Sequence, residues 1–131
     1  VDGAPAMIDR ARENFPQQRW LLQDMRQLSL GETFDGLIAW DSFFHLTQDD
    51  QKQMFARFEQ HSHAGSVLMF TSGPEEGEAF GQMEGETLYH ASLAPQTYRA
   101  LLAEINFEVV DVVLNDPHCT GHSVWLAQRK A

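Results

Sequence analysis

The sequence predicts a three-layer α/β domain in which a mostly parallel sheet is completed by an antiparallel hairpin, and three observations carry that expectation. The run "SVLMFT" at 66–71 shows no polar alternation, the pattern of a parallel strand covered on both faces. Segments of helical period separate such runs; Tyr98, Leu101, Leu102 and Ile105 recur at i, i+3, i+4 and i+7. The chain then finishes in two apolar runs, "FEVVDVVLN" and "HSVWLAQ", joined by the turn-rich "DPHCTG", as an antiparallel hairpin would.

Each element follows in order. Ala4, Ile8, Ala11 and Phe15 give residues 4–15 one apolar face, with Pro5 suited to the first turn of a helix and Pro16 to its end. "RWLLQDM" reads as a brief strand at 19–23, with Trp20 in its core, and "FDGLIAW" at 34–40 as a second; both end in polar residues. Thr47, with Asp50 three residues on, opens a helix over 47–62 whose Met54, Phe55 and Phe58 face inward, and His61 and His63 stand at its end. After the strand at 66–71, "SGPEEGEAFGQMEGETLYHASL" reads as a long loop rich in Gly and Glu, and Pro95 opens the next helix. No repeat or linker divides the chain, so residues 1–131 are read as one domain.

Composition narrows the function. Nine Lys and Arg stand against 19 Asp and Glu, a net charge of −10 that repels phosphate backbones and anionic membranes. Nucleic acid and membrane are therefore not the expected partners. No apolar run approaches the roughly 20 residues of a membrane span, and no leader-like segment opens the sequence, so a soluble, cytoplasmic protein is expected. The single Cys119 cannot form an internal disulfide.

Open α/β sheets bind ligands beyond the carboxyl ends of their strands. Trp40, Asp41 and His45 lie just past the strand at 34–40, and Asp24 with Met25 just past the strand at 19–23. Val1 and Asp2 precede the first helix, where a preceding strand would end. A carboxylate there suits a ribose diol, and one at Asp24 suits an exocyclic amine with the apolar Met25 against a purine face.

The succession "VDGAPAMIDRARENFP", "WLLQDM", "FDGLIAWDSFFHL", "GSVLMFTSG", "NFEVVDVV" and a closing hairpin resembles a class I S-adenosylmethionine-dependent methyltransferase, from the end of its second strand to its C-terminus. The resemblance implies a Rossmann-like methyltransferase sheet and S-adenosylmethionine as cofactor. It implies that Asp2 and the adjoining Gly3 meet the ribose, that Asp24 and Met25 flank the adenine, and that Trp40 stands beside the cofactor. Asp41, Phe44 and His45 would line the border with substrate, a small-molecule acceptor. The family's Gly-x-Gly-x-Gly turn has no counterpart, since the only glycine cluster, at 73–85, is loaded with glutamates. The domain is therefore expected to be N-terminally incomplete, lacking a mid-sheet strand, inactive alone, and prone to dimerise through the exposed sheet edges.

Methyl transfer needs position, a dry pocket and sometimes a base. His45 is the expected base because imidazole titrates near neutrality, with Asp41, Tyr89 and His90 as the other groups that could orient an acceptor. His118 is a further substrate candidate on the terminal turn. His118, Cys119 and His122 are zinc-ligand types, but their crowding on one turn argues against a metal. Two other classes fit less well: a nicotinamide-dependent dehydrogenase, whose all-parallel plan lacks the hairpin, and a non-catalytic oligomerisation module.

Overall fold

In the computed structural model, which describes residues 1–131, the chain divides into two units, Val1–Leu30 and Gly31–Ala131. The first is built on helix α1 (Pro5–Asn14), with Pro5 in its first turn and Ile8 buried. The strand expected at 19–23 is reduced to one parallel bridge, Asp2 to Leu22, held by Asp2 N–H to the Leu21 carbonyl and Gln23 N–H to the Asp2 carbonyl, both 3.1 Å. Trp20 explains the shortening. Its Nε1 donates to the Phe15 carbonyl at 2.9 Å and its ring lies 6.4 Å from that of Phe15, so it closes the loop after α1 rather than filling a strand core.

The second unit holds a four-stranded sheet of β1 (Phe34–Ala39), β2 (Ser62–Ser72), β5 (Phe107–Val113) and β6 (Ser123–Arg129), in the order β1-β2-β6-β5. β1 and β2 run parallel, with Leu37 opposite Leu68 and Ala39 opposite Phe70, while β6 enters antiparallel between β2 and β5. The expected terminal hairpin is thus present, and its second strand, β6, lies inside the sheet.

Helices α2 (Gln48–Gln60) and α3 (Pro95–Glu104) cover the face that presents Phe70 and Trp125. Thr47 caps α2 by accepting from Asp50 N–H at 3.2 Å, as its spacing predicts. The core is aromatic: Phe43 packs within 6.2 Å of Phe55, Phe58, Phe70 and Tyr98, and Phe70 stacks on Trp125 at 5.7 Å with an interplanar angle of 2°. The opposite face of the same strands carries half-buried Met69 and Leu126 and Ile38, which is 74% exposed.

Two further expectations are corrected. Residues 72–93 are not a loop but a second, two-stranded sheet of β3 (Gly77–Met83) and β4 (Glu86–Ser92). Glu84 (φ 52°) and Gly85 (φ 82°) both take positive φ, as a two-residue type I′ hairpin turn requires, so the glycine and glutamate that suggested a loop form its tip. His63 belongs to β2 rather than to the end of α2, because the strand begins at Ser62 immediately after the buried helix cap His61. No helix is long and apolar enough to cross a membrane.

Candidate active site

β1 ends at Ala39, and the chain turns outward through Trp40, whose indole is 43% exposed, and Asp41. Asp41 adopts φ 45°, a left-handed conformation that Asp tolerates better than most residues. Its N–H is tied to Thr71 Oγ1 at 2.8 Å, fixing this turn to the end of β2. The next residues form a short 3₁₀ turn, Phe43–His45, pinned by the fully buried Phe43.

Beside it, Phe44 is 5% exposed and gathers three imidazoles. Ring centroids of His45, His90 and His122 lie 4.9, 5.3 and 4.8 Å from its own, and His45 stands 4.7 Å from His90. Their nitrogens serve different partners. His45 Nδ1 meets the Tyr89 carbonyl at 3.0 Å, which in the neutral ring makes it the donor. His122 Nδ1 meets Asp41 Oδ1 at 3.0 Å and Thr120 Oγ1 at 3.3 Å. The rings pack on Phe44 rather than converging on a point, and no group of three or more His, Cys, Asp or Glu has metal-holding geometry.

A buried amide holds the wall opposite. Gln51, on α2, donates through Nε2 to the carbonyls of Leu46 at 3.0 Å and Ala91 at 2.8 Å, so the 3₁₀ turn and β4 are tied to one side chain. Gln48 adds a bond to the Ser92 carbonyl at 3.1 Å. Between these elements opens a cleft of about 260 Å³, lined by Phe44, His90, Ala91, Ser92, His122 and residues 73–79. That volume is close to the lower end for small-ligand pockets, roughly 300 Å³.

Of the sequence-predicted substrate residues, Phe44 and His90 line this cleft, and Asp41 reaches it through His122. Tyr89 sits on β4 with its phenol titration pushed up by partial desolvation and then by the neighbouring Glu78 carboxylate. His45 and His118 are not among the lining residues. His118 stands on the exposed turn Pro117–Cys119, its N–H bonded to Asp116 Oδ1 at 2.9 Å. Cys119 has its thiol pushed up by burial and by Asp116 and Asp41, which leaves little nucleophilic thiolate. His122 is the lining residue whose role the sequence missed. Its partner Asp41 lies 81 positions away, a separation no local pattern encodes.

In the first unit, the bridge to Leu22 places Asp2 and Asp24 on adjoining strand tips. Asp2 Oδ1 accepts the Ala4 N–H at 2.8 Å, capping the approach to α1, while its other oxygen has no protein partner and stays open to a hydroxyl donor. Asp24 is more engaged. It accepts from Arg26 through the backbone N–H at 3.0 Å, Nε at 3.0 Å and Nη2 at 2.5 Å, and these bonds hold its carboxyl below the usual range. An amine reaching Asp24 would share oxygens with Arg26. A Cβ on Gly3 would come no nearer than 3.8 Å to the Gln23 carbonyl, so packing does not demand glycine there. Within this unit, the free carboxylate oxygen of Asp2 and the apolar, half-buried Met25 are groups of the kind that a diol and a purine face would meet.

Comparison with known proteins finds methyltransferases. Residues 1–65 match the family model described as a methyltransferase domain. The chain is similar in structure to an S-adenosylmethionine-dependent methyltransferase from Clostridium acetobutylicum, with a TM-score of 0.80, 15% identity, and coverage of 100% of this chain and 74% of that one. It is also similar to the S-adenosylmethionine-bound amino pentose methyltransferase CalS10 from Micromonospora echinaspora, at TM-score 0.75 and 20% identity over 99% of this chain and 74% of that one. A third similar structure is the 1,6-didemethyltoxoflavin-N1-methyltransferase of Burkholderia thailandensis, solved with that substrate and S-adenosylhomocysteine. There the TM-score is 0.68 and the identity 16%, over 97% of this chain and 57% of that one. Comparison with curated proteins returns no match.

Proposed function

We propose that this chain, which carries the class I S-adenosylmethionine-dependent methyltransferase fold, serves methyl transfer from S-adenosylmethionine to a small-molecule acceptor. The observation that carries this reading is the cleft at the carboxyl end of β1 and β2, walled by Phe44, His90 and His122. When bound, the cofactor supplies an electrophilic methyl on a sulfonium sulfur.

The chain's own residues then have simple tasks. Asp2 accepts from the ribose hydroxyls with the Gly3 backbone alongside, Asp24 and Met25 flank the adenine, and Trp40 covers the cofactor past β1. The match of residues 1–65 to the methyltransferase-domain model supports these roles. Phe44 and His90 hold the acceptor against one wall and exclude water, which favours a displacement that disperses charge. His45 orients the rim through the Tyr89 carbonyl, and Tyr89 and His118 stand at the outer margin of the acceptor site. A small metabolite suits a cleft of about 260 Å³, and the toxoflavin-type ligand of one similar structure is of that class.

The test is calorimetric titration with S-adenosylhomocysteine and, separately, NAD, of an N-terminally extended form that supplies the first strand and the Gly-x-Gly-x-Gly turn. Binding of the first and not the second is expected; binding of NAD alone would transfer the reading to a dehydrogenase. Self-association through β1, an edge strand with Ile38 74% exposed, is a further part of this proposal. A sedimentation series over protein concentration should show a dimer that Ile38→Lys weakens.

A further inference from the structure

We infer that His122 is the group that takes the acceptor's proton, with Asp41 positioning it, so that the acceptor presents a hydroxyl or a neutral amine N–H. This rests on the methyl-transfer reading above and specifies its acceptor. His122 lines the cleft, and its ring is fixed on two sides: edge-on to Phe44 at 4.8 Å and, through Nδ1, to Asp41 Oδ1 at 3.0 Å. A carboxylate on Nδ1 makes that nitrogen the donor, which leaves the Nε2 lone pair as the ring's only basic position.

Asp41 is itself held in place. Its backbone is in the left-handed region with φ 45° and its N–H is bonded to Thr71 Oγ1 at 2.8 Å. Backbone of this kind persists where neighbours over-determine it, and such positions cluster at functional sites. His45 is the less suitably placed group, because its Nδ1 is engaged by the Tyr89 carbonyl and it does not line the cleft.

The proton balance is simple. As the acceptor's O or N lone pair forms its bond to the methyl carbon, the C–S bond breaks and its electron pair stays on sulfur. The acceptor's proton passes to His122 Nε2, giving an imidazolium paired with Asp41. Acceptors with no proton to lose, such as thioethers, would have no use for this pair. The titratable groups that line the cleft with His122 are His90 on β4, Glu75 and Glu76 on the turn after β2, and Glu78 on β3; Asp41 bonds its ring, and Asp116 and Cys119 stand on its own turn.

The experiment uses the chain with ¹⁵N-labelled histidine. Long-range ¹H–¹⁵N correlation above the imidazole titration range should show His122 as the Nδ1–H tautomer. Asp41→Asn, which tolerates the same backbone, should convert it to mainly Nε2–H and slow carbethoxylation of His122 by diethylpyrocarbonate several-fold. In the N-terminally extended form, His122→Gln should leave S-adenosylhomocysteine affinity unchanged. An Nε2–H tautomer in the unmodified chain, or one unmoved by Asp41→Asn, overturns the base assignment while leaving methyl transfer standing. A tenfold or greater loss of S-adenosylhomocysteine affinity in His122→Gln also overturns it, because the ring would then be holding cofactor. No S-adenosylhomocysteine binding by the N-terminally extended form removes the methyl-transfer reading itself, whatever the tautomer.

Discussion

Inside the core, the Tyr98 hydroxyl donates to Gln51 Oε1 at 2.7 Å while accepting the Leu93 N–H at 3.0 Å, and both side chains are fully buried. Through this one contact α3, α2 and the end of β4 share a hydrogen-bond network, and the wall of the cleft is fixed to the two helices. Burial pushes the phenol's titration up, so the neutral donor persists across the physiological range.

Tyr98→Phe should therefore lower stability by about 1–3 kcal/mol, the cost of leaving buried partners unsatisfied. Urea unfolding measures it. Hydrogen exchange should show the Leu93 amide losing protection with the Ala91–Leu93 segment, while the β5–β6 pairing keeps its own.

Phe43→Ala removes the ring that packs on Phe55, Phe58, Phe70 and Tyr98. A loss of about 3–5 kcal/mol is expected from thermal or denaturant unfolding. Because Phe43 anchors the turn that carries Phe44 and His45, a neighbouring Phe44→Leu change, which keeps the anchor, should cost less and serves as the comparison.

In the N-terminally extended form, Asp2→Ala should weaken S-adenosylhomocysteine binding by about tenfold or more, the loss of charge-assisted hydrogen bonds worth roughly 1.5–3 kcal/mol. Calorimetry reads the change. Adenine, which lacks a ribose, should bind the variant and the unmodified chain equally, and a parallel loss there would point to damage in α1 rather than a missing diol contact.

His63 offers a pH-dependent contact away from the cleft. The Ala64 carbonyl and then the Asp35 carboxylate, 2.9 Å from Nε2, favour its charged form and raise its titration. Such a group adds stability that is fully present below the ordinary imidazole value and is lost as pH rises through the raised folded value. Asp35→Asn should lower the His63 midpoint in an NMR titration and flatten that part of the stability profile.

Much of the architecture was legible because local physics repeats along the chain. Pro5, Thr47 with Asp50, and Pro95 mark helix starts by chemistry that acts within one turn, and the structure places α1, α2 and α3 there. The unalternating "SVLMFT" gave a central strand, and "DPHCTG" the turn of the closing hairpin. The β3–β4 hairpin escaped because the glycine and glutamate that favour loops also supply the two positive-φ positions of a tight turn.

Taken alone, the sequence determined the order and type of the elements outside residues 19–23 and the β3–β4 hairpin, and therefore that polar residues past β1 stand at a sheet's carboxyl edge. Only the tertiary structure decided which of them meet. It set His122 on Asp41, directed His45 to a backbone carbonyl, and closed Asp24 around Arg26. The reason is one of range: caps and periodicity act over a few residues, whereas the partners of an imidazole are chosen by strand order, which brings together groups far apart in the chain.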